Sequence, residues 1–179
     1  MITSQTPTIA ELARAFAVER HGAQRYGVYP YVLHLDEVHG ILHEFSVPWE
    51  ECYPAAYLHD ILEDTGTSVE EVYRKFGTVA TAIVLFCTDS PGQNRKEKKL
   101  RTYHKIRLLT YYPCGNCAAA VKIADRLANV RACLRDPNEA MLKTYRKEHV
   151  MFTDAMASVK DTPFICTMWQ ALTRLLNDH

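Results

Sequence analysis

The chain has 179 residues, of which 47% are hydrophobic and 23% charged, with only 7 glycines and 8 prolines. This composition is typical of a globular protein, and it excludes collagen-like, low-complexity and extensively disordered classes. Lysine and arginine together number 21, as do aspartate and glutamate, so no overall field attracts nucleic acid or anionic lipid.

Neither a secretion signal nor a membrane span is expected. The N-terminal segment lacks a basic stretch followed by an apolar block, and no apolar stretch approaches the roughly 18 residues that a span requires. We therefore expect a cytoplasmic protein without a membrane or nucleic-acid partner, and the sequence leaves homo-oligomerisation open. Its six cysteines are expected to be thiols, because disulfides are rare in reducing compartments.

Apolar residues recur with helical spacing along most of the chain, and no segment shows the alternation of a strand. Thr67 or Ser68 is expected to cap a helix, with a glutamate three residues further on. Helices are predicted, in chain order, at residues 9–17, 33–45, 48–64, 68–77, 79–87, 95–112, 116–135, 139–160 and 163–177. The sequence thus predicts a single all-α domain over residues 1–179, with about eight or nine irregularly packed helices.

The segment over residues 55–71 is the most informative for chemistry. It carries four polar side chains at helical spacing: His59, Asp60, Glu63 and Asp64. On one helix these groups share a broad face, and the apolar residues before them predict that this face turns inward. Because unpaired buried charge is costly, such a face indicates a bound metal ion.

Two further candidate ligands lie elsewhere in the chain. His34 falls on the second predicted helix, and Asp125 interrupts the apolar stripe of the helix at 116–135. Two imidazoles and two carboxylates suit Mn²⁺, Fe²⁺ or Zn²⁺ better than a closed structural zinc site. Water at such a site is a nucleophile for phosphoric esters and anhydrides, and Glu63 or Asp64 is placed to take its proton.

The spaced pattern of His34, His59-Asp60 and Asp125 resembles the HD superfamily of metal-dependent phosphohydrolases. Residues 59–64 match the HDxxED box of its alarmone-hydrolase branch. More of the chain is similar to the hydrolase domain of RelA/SpoT homologues and to the small alarmone hydrolases, over roughly residues 10–155.

The resemblance implies that His34, His59, Asp60 and Asp125 bind Mn²⁺, and that Glu63 and Asp64 activate or position the attacking water. The implied reaction, which belongs to the stringent response, removes pyrophosphate from the 3′ position of ppGpp or pppGpp.

Substrate contacts are also implied by the resemblance. Asn129 is expected at the ribose or phosphate, Lys122 as a support on the same side, and Tyr145 along the nucleotide. The family usually has more basic groups after Gln24 than the single Arg25 found here, so Arg25 and Tyr26 are candidate stacking partners for a purine. Because of this departure, the sequence does not decide between guanine and adenine as the base of the substrate, and ppApp and pppApp are alternative substrates.

Two other functions are compatible with these residues. Another HD phosphohydrolase, such as a nucleotidase or an NADPH phosphatase, would release inorganic phosphate. A non-catalytic nucleotide sensor or antitoxin partner would use the pocket only for binding, but the Glu63-Asp64 pair favours an enzyme.

Three other features are expected to lie outside the site. His39 and His43 are expected to form a partly exposed pair, and Cys114 and Cys117 to be ordinary thiols. The basic run at 95–101 is expected to be a solvated face, with guidance of a polyphosphate toward the metal as the alternative.

Overall fold

The computed structural model describes residues 6–178, and the predicted all-α fold class is confirmed. Within these residues the helices are α1 (Ile9–His21), α2 (Val32–Glu44), α3 (Cys52–Leu58), α4 (Ile61–Asp64), α5 (Val69–Cys87), α6 (Arg95–Ile106), α7 (Gly115–Arg135), α8 (Glu139–Ala155) and α9 (Ile165–Asp178). None of them is long and apolar enough to cross a bilayer. The first five positions, which contribute to the expectation of no secretion signal, lie outside the described residues.

The prediction of one continuous helix at 48–64 is wrong in two respects, since the helix starts later and is interrupted. It begins at Cys52, because Pro54 lacks a backbone N–H and fits only the first turn. It breaks at His59–Asp60, where the His59 ring nitrogen Nδ1 lies 2.8 Å from the Ala56 carbonyl oxygen. In a continuous helix that carbonyl would accept a hydrogen bond from the backbone N–H of Asp60. Asp60 instead has φ −101° and ψ 0°. The short helix α4 follows this break.

Glycine explains two other features of the helices. The predicted helices at 68–77 and 79–87 are joined into α5, with a kink at Gly77, where φ is +79°. The helix predicted to end near residue 112 ends at Ile106 and gives way to a 3₁₀ turn, Leu109–Tyr111. This turn packs on the start of α7 so closely that a Cβ on Gly115 would lie 1.9 Å from the Leu109 carbonyl oxygen.

One helix end and one connection differ from the sequence prediction. The helix predicted to run to residue 160 ends at Ala155, and the turns that follow direct Met156 and Val159 into the core. A two-stranded hairpin that the sequence did not indicate joins α1 to α2, with β1 (Arg25–Tyr26) antiparallel to β2 (Tyr29–Pro30). Strands of two residues are too short to show alternation, and Gly27 allows the turn with a φ of +61°.

The helix α7 lies at the centre of the larger core cluster and packs against α2, α3, α5, α8 and α9. It is buried on nearly all sides, because a run of alanines allows neighbouring helices to approach closely. A second cluster lies between α1, α2, α3 and α5. All six cysteines are free, as predicted. The expected His39–His43 pair is present, stacked among Tyr53 and Tyr57.

Candidate metal and catalytic site

The four side chains predicted to bind metal converge between α2, the α3–α4 break and α7. One donor atom each from His34, His59 and Asp125 lies within 4.8 Å of the others. Asp60 Oδ2 lies 2.9 Å from His59 Nε2 and 3.8 Å from His34 Nε2. Asp125 Oδ1 lies 3.5 Å from His34 Nε2. The geometry brings these residues together, and their role as ligands remains a prediction.

Neighbouring groups orient the donor atoms of this cluster. His59, which is fully buried, directs Nδ1 to the Ala56 carbonyl, so Nε2 faces the carboxylates. Tyr31 donates its hydroxyl hydrogen to Asp60, and the Asn129 amide donates to Asp125. His59 Nε2 makes no hydrogen bond of good geometry among the described residues, although Asp60 Oδ2 lies 2.9 Å away. A buried imidazole nitrogen facing two oriented carboxylates fits a divalent cation.

The electrostatics of the cluster favour positive charge. Burial by itself lowers the pKa of His59, but the charges of Asp60 and Asp125 outweigh it and raise this pKa to about 9. Burial also opposes the ionisation of both carboxyl groups, yet the neighbouring histidines hold the pKa values of Asp60 and Asp125 well below their ordinary range. The field that stabilises a proton here equally attracts a metal cation.

Glu63 and Asp64 lie on α4 at the mouth of the cleft, and both are exposed. The prediction that all four polar groups of this segment turn inward is therefore wrong, because the break after His59 gives α4 a different orientation. Glu63 accepts the backbone N–H of Asp89, and partial burial of the carboxyl group raises its pKa. Asp64 Oδ2 accepts a 2.8 Å hydrogen bond from the Gln24 side chain.

Cationic side chains line a polar cleft of about 210 Å³ together with these acids. Lys122 is buried, donates to the Cys87 carbonyl and lies 3.9 Å from Asp89. Burial alone lowers the pKa of Lys122, but the charges of Asp125 and Asp89 raise it above its ordinary value. Lys122 thus lines the cleft on the same side as Asp125 and Asn129, and its ammonium group already donates a hydrogen bond within the protein.

Two residues of the basic run at 95–101, Arg95 and Lys99, line this cleft, whereas Lys96, Lys98 and Arg101 are exposed, as expected of a solvated face. Arg95 binds Glu148 through two hydrogen bonds of 2.7 and 3.1 Å, and Lys99 lies 2.7 Å from Asp89. Arg126 also reaches Glu148, at 3.1 Å. Nothing in the spacing of these charges along the sequence indicates that Asp89 and Glu148 are their partners.

A second, largely apolar pocket of about 450 Å³ adjoins the cleft. Asn129 and Tyr145 line both spaces, and their place beside a nucleotide stays a prediction. Burial raises the pKa of Tyr145 to about 12, so its hydroxyl stays a hydrogen-bond donor at neutral pH.

Of the two hairpin residues, only Tyr26 lies where the sequence predicts. One face of its ring stacks on His34 at 4.7 Å and its hydroxyl donates to Asn129 at 2.7 Å, and the residue also lines the apolar pocket, so its stacking on a purine stays a prediction. Arg25 lies outside the linings of both the cleft and the pocket, and its guanidinium reaches the Val28 carbonyl. Alternation along β1 turns Tyr26 inward and Arg25 outward.

Comparisons with known proteins agree with this architecture. The zebrafish (Danio rerio) guanosine-3′,5′-bis(diphosphate) 3′-pyrophosphohydrolase MESH1 is 35% identical over 137 residues, which cover 73% of this chain and 72% of that protein. An Aquifex aeolicus protein of the same enzyme name is 35% identical over 124 residues, which cover 68% of this chain but 17% of that protein. A solved structure of a metazoan SpoT orthologue that hydrolyses ppGpp has the same fold, with a TM-score of 0.77, 24% identity and 98% coverage of both chains.

A family model described as "HD domain" matches residues 13–153, which span all the residues of the metal cluster. The chain therefore belongs to the HD-domain family.

Proposed function

We propose that this protein is a metal-dependent 3′-pyrophosphohydrolase of purine alarmone nucleotides, ppGpp and pppGpp or ppApp and pppApp. The observation that carries the proposal is the convergence of two histidines and two aspartates beside a Glu-Asp pair, at a cleft that four cationic side chains also line. The enzyme names of the relatives, one of which matches nearly three quarters of this chain, support the same reaction.

The two connected spaces fit the two parts of such a substrate. The polar cleft holds acids and cations in close contact, as a metal and a 3′-linked pyrophosphate require. The adjoining pocket is mostly apolar and suits a nucleoside. Asn129 and Tyr145 lie where the spaces meet, so we assign them to the ribose and its 3′ phosphate.

In this proposal His34, His59, Asp60 and Asp125 hold Mn²⁺, with Fe²⁺ or Zn²⁺ as alternatives. When bound, such an ion supplies Lewis-acid chemistry and lowers the pKa of water. Glu63 takes a proton from the attacking water, because partial burial gives its carboxyl group a raised pKa that suits a general base. Asp64, anchored by Gln24, orients that water.

The oxygen of the water forms a bond to the phosphorus attached to the ribose 3′ oxygen, and the bond between that phosphorus and the 3′ oxygen breaks. The 3′ oxygen takes a proton and leaves as the ribose hydroxyl, and pyrophosphate is released. Arg95 and Lys99 balance the charge of the pyrophosphate, with Lys122 holding Asp89 in place behind them.

We further propose that residues 1–179 act as one HD-type domain in the cytoplasm, where reducing conditions suit six free cysteines. Its partner is a small-molecule nucleotide, and its setting is the stringent response.

The test is incubation with Mn²⁺ and each of ppGpp, pppGpp and ppApp, with separate detection of pyrophosphate and inorganic phosphate. Pyrophosphate release that Glu63→Gln and Asp64→Asn abolish, while metal content is unchanged, is the expected result. Inorganic phosphate as the product would instead identify another HD phosphohydrolase. Nucleotide binding without turnover would identify a sensor, and either outcome would overturn the proposal.

A further inference from the structure

One face of α7 connects the metal cluster to the far end of the nucleoside pocket. Asp125, Asn129, Ala132 and Asp136, the C-cap residue, follow one another at spacings of four, three and four residues, which places them along one side of the helix, with Cys133 next to Ala132. At about 1.5 Å per residue, Asp136 lies about 16 Å beyond Asp125 along the helix axis. The metal end and the far end of the pocket are thus separated by the length of an extended nucleotide.

The middle of this face suits a flat ring. Ala132 and Cys133, which have small side chains, line the pocket together with Met141 and Tyr145 of α8 and Tyr29 of the hairpin. A purine that lies over the small residues therefore directs its outer edge toward the loop between α7 and α8.

The hydrogen-bonding groups of the pocket are not equally available. Asn129 keeps only one lone pair of its side-chain oxygen for a ligand, since that oxygen accepts from Tyr26 and the amide nitrogen donates to the backbone and side chain of Asp125. Among the described residues that line the pocket, Asp136 carries the only formal charge, and its carboxylate has one protein contact, 3.2 Å from Arg135 Nε. Free lone pairs on this carboxylate make it an acceptor for a ligand.

Asn138 supplies a donor beside this acceptor. Its side-chain oxygen accepts the backbone N–H of Met141 at 3.1 Å and caps α8. This bond fixes the orientation of the amide, so the Asn138 NH₂ group is left as the part that faces a ligand. The loop therefore presents one acceptor, Asp136, next to one donor, both at the end of the pocket away from the metal.

We propose that Asp136 and Asn138 read the edge of the purine and select guanine over adenine, an inference that rests on the proposed nucleotide hydrolase function. Guanine presents N1–H and N2–H₂ donors, which the Asp136 carboxylate accepts, and an O6 acceptor for the Asn138 amide. Adenine presents its amino group, a donor, toward the Asn138 amide NH₂ group, which is also a donor. Its N1 is an unprotonated acceptor, which the Asp136 carboxylate repels. A matched edge of this kind discriminates between bases through paired hydrogen bonds.

The test measures kcat/KM for ppGpp and for ppApp, by pyrophosphate release, in the full chain with Mn²⁺. Wild type is expected to prefer ppGpp by about 10- to 100-fold, the discrimination that one good bidentate pair provides. Asp136→Asn replaces an acceptor by a group that also donates to adenine N1, and lowers the ppGpp/ppApp ratio about tenfold. Asn138→Asp keeps the helix cap but turns the donor into an acceptor, and lowers the ratio again.

The double variant, Asp136→Asn with Asn138→Asp, matches adenine at both positions and is expected to prefer ppApp. Asp161→Asn is the control: it removes one exposed carboxylate outside the pocket lining and leaves the ratio unchanged. Variants that release pyrophosphate with the wild-type ratio, or a wild type without preference, would overturn the base-reading role while the hydrolase function stands.

Equilibrium binding of GDP and ADP to the same proteins gives a second readout that does not depend on turnover. The same ranking of the variants is expected there. If no nucleotide is hydrolysed, the proposed function fails, and equal affinities for GDP and ADP would then remove the base-reading role as well.

Discussion

Replacing Tyr31 by phenylalanine removes one hydrogen bond from the metal cluster and leaves the ring in place. The Tyr31 ring is buried against His21, at 4.5 Å between ring centroids, and against His34. Its hydroxyl donates to Asp60 Oδ2, the oxygen that lies 2.9 Å from His59 Nε2. Burial and the Asp60 charge both raise the pKa of Tyr31, so the hydroxyl remains a donor at any physiological pH.

The magnitude follows from the charge on the acceptor. A hydrogen bond to a charged group contributes about 1.5–3 kcal/mol. If that energy orients Asp60 toward the ion, its loss weakens metal binding by about 10- to 100-fold, at about 1.4 kcal/mol per factor of ten. The same range is found when groups that hydrogen-bond to metal ligands are removed from other metalloproteins.

The assay is titration of metal-depleted protein with Mn²⁺, followed by calorimetry or by the paramagnetic signal of free Mn²⁺. Tyr53→Phe is the matched control, because the Tyr53 hydroxyl donates to the Val47 carbonyl at 2.7 Å and has no contact with the cluster. That variant is expected to lose about 1 kcal/mol of unfolding free energy and to keep the wild-type Kd for Mn²⁺. A Tyr31→Phe protein with the wild-type Kd would refute the orienting role of this hydroxyl.

Three further changes test other parts of the structure. Gly115→Ala is expected to lower the free energy of unfolding by about 1–3 kcal/mol in a urea titration, since the new Cβ meets the Leu109 carbonyl, whereas Gly40→Ala, in open space on α2, stabilises by up to about 1 kcal/mol. Tyr26→Phe keeps the stack on His34 but frees the Asn129 amide, so steady-state assays are expected to show kcat reduced up to about tenfold; an unchanged kcat would contradict this. Chelation of the metal is expected to lower Tm, and Mn²⁺ at 100 times its Kd restores about 2.7 kcal/mol of stability.

Periodicity in the sequence predicts most of the helices, with errors at several ends and at the break after His59, and it indicates one of the proposed metal ligands. Asp125 is recognisable because a carboxylate within an alanine-rich, fully buried helix requires a partner. His34 was recognisable only from its order relative to His59-Asp60, since a single histidine on an amphipathic helix is ordinary. Both residues lie where the sequence placed them, on α2 and α7.

The break after His59 was not predictable from local pattern. It depends on a contact between the His59 ring and the Ala56 carbonyl, and on Tyr31, which reaches Asp60 from a distant part of the chain. Helix propensity and apolar spacing alone predict a continuous helix over residues 48–64. The orientation of Glu63, and with it the shape of the cleft, follows from the tertiary contacts instead.

The ionic partners in the cleft were hidden for a related reason. Lys99 and Arg95 belong to a run of exposed-looking charges, and their partners Asp89 and Glu148 come from other elements. Spacing within one helix identifies neighbours three or four residues apart, but it cannot pair charges across helices. The contacts of Tyr26 within the protein were missed in the same way, since a two-residue strand gives no pattern from which to assign its faces.

A single rigid helix links the proposed chemistry to the proposed choice of base. Asp125 is near the middle of α7 and Asp136 is at its C-terminal end, so a nucleotide bound along this face has both ends fixed by one element. A purine whose edge does not match Asp136 shifts along the helix and moves its 3′ phosphate away from Glu63. Misplacement of reacting groups by about 1 Å is costly to rate. Discrimination between guanine and adenine is therefore expected in kcat as well as in KM, and a difference confined to KM would indicate that the two ends of the pocket act independently.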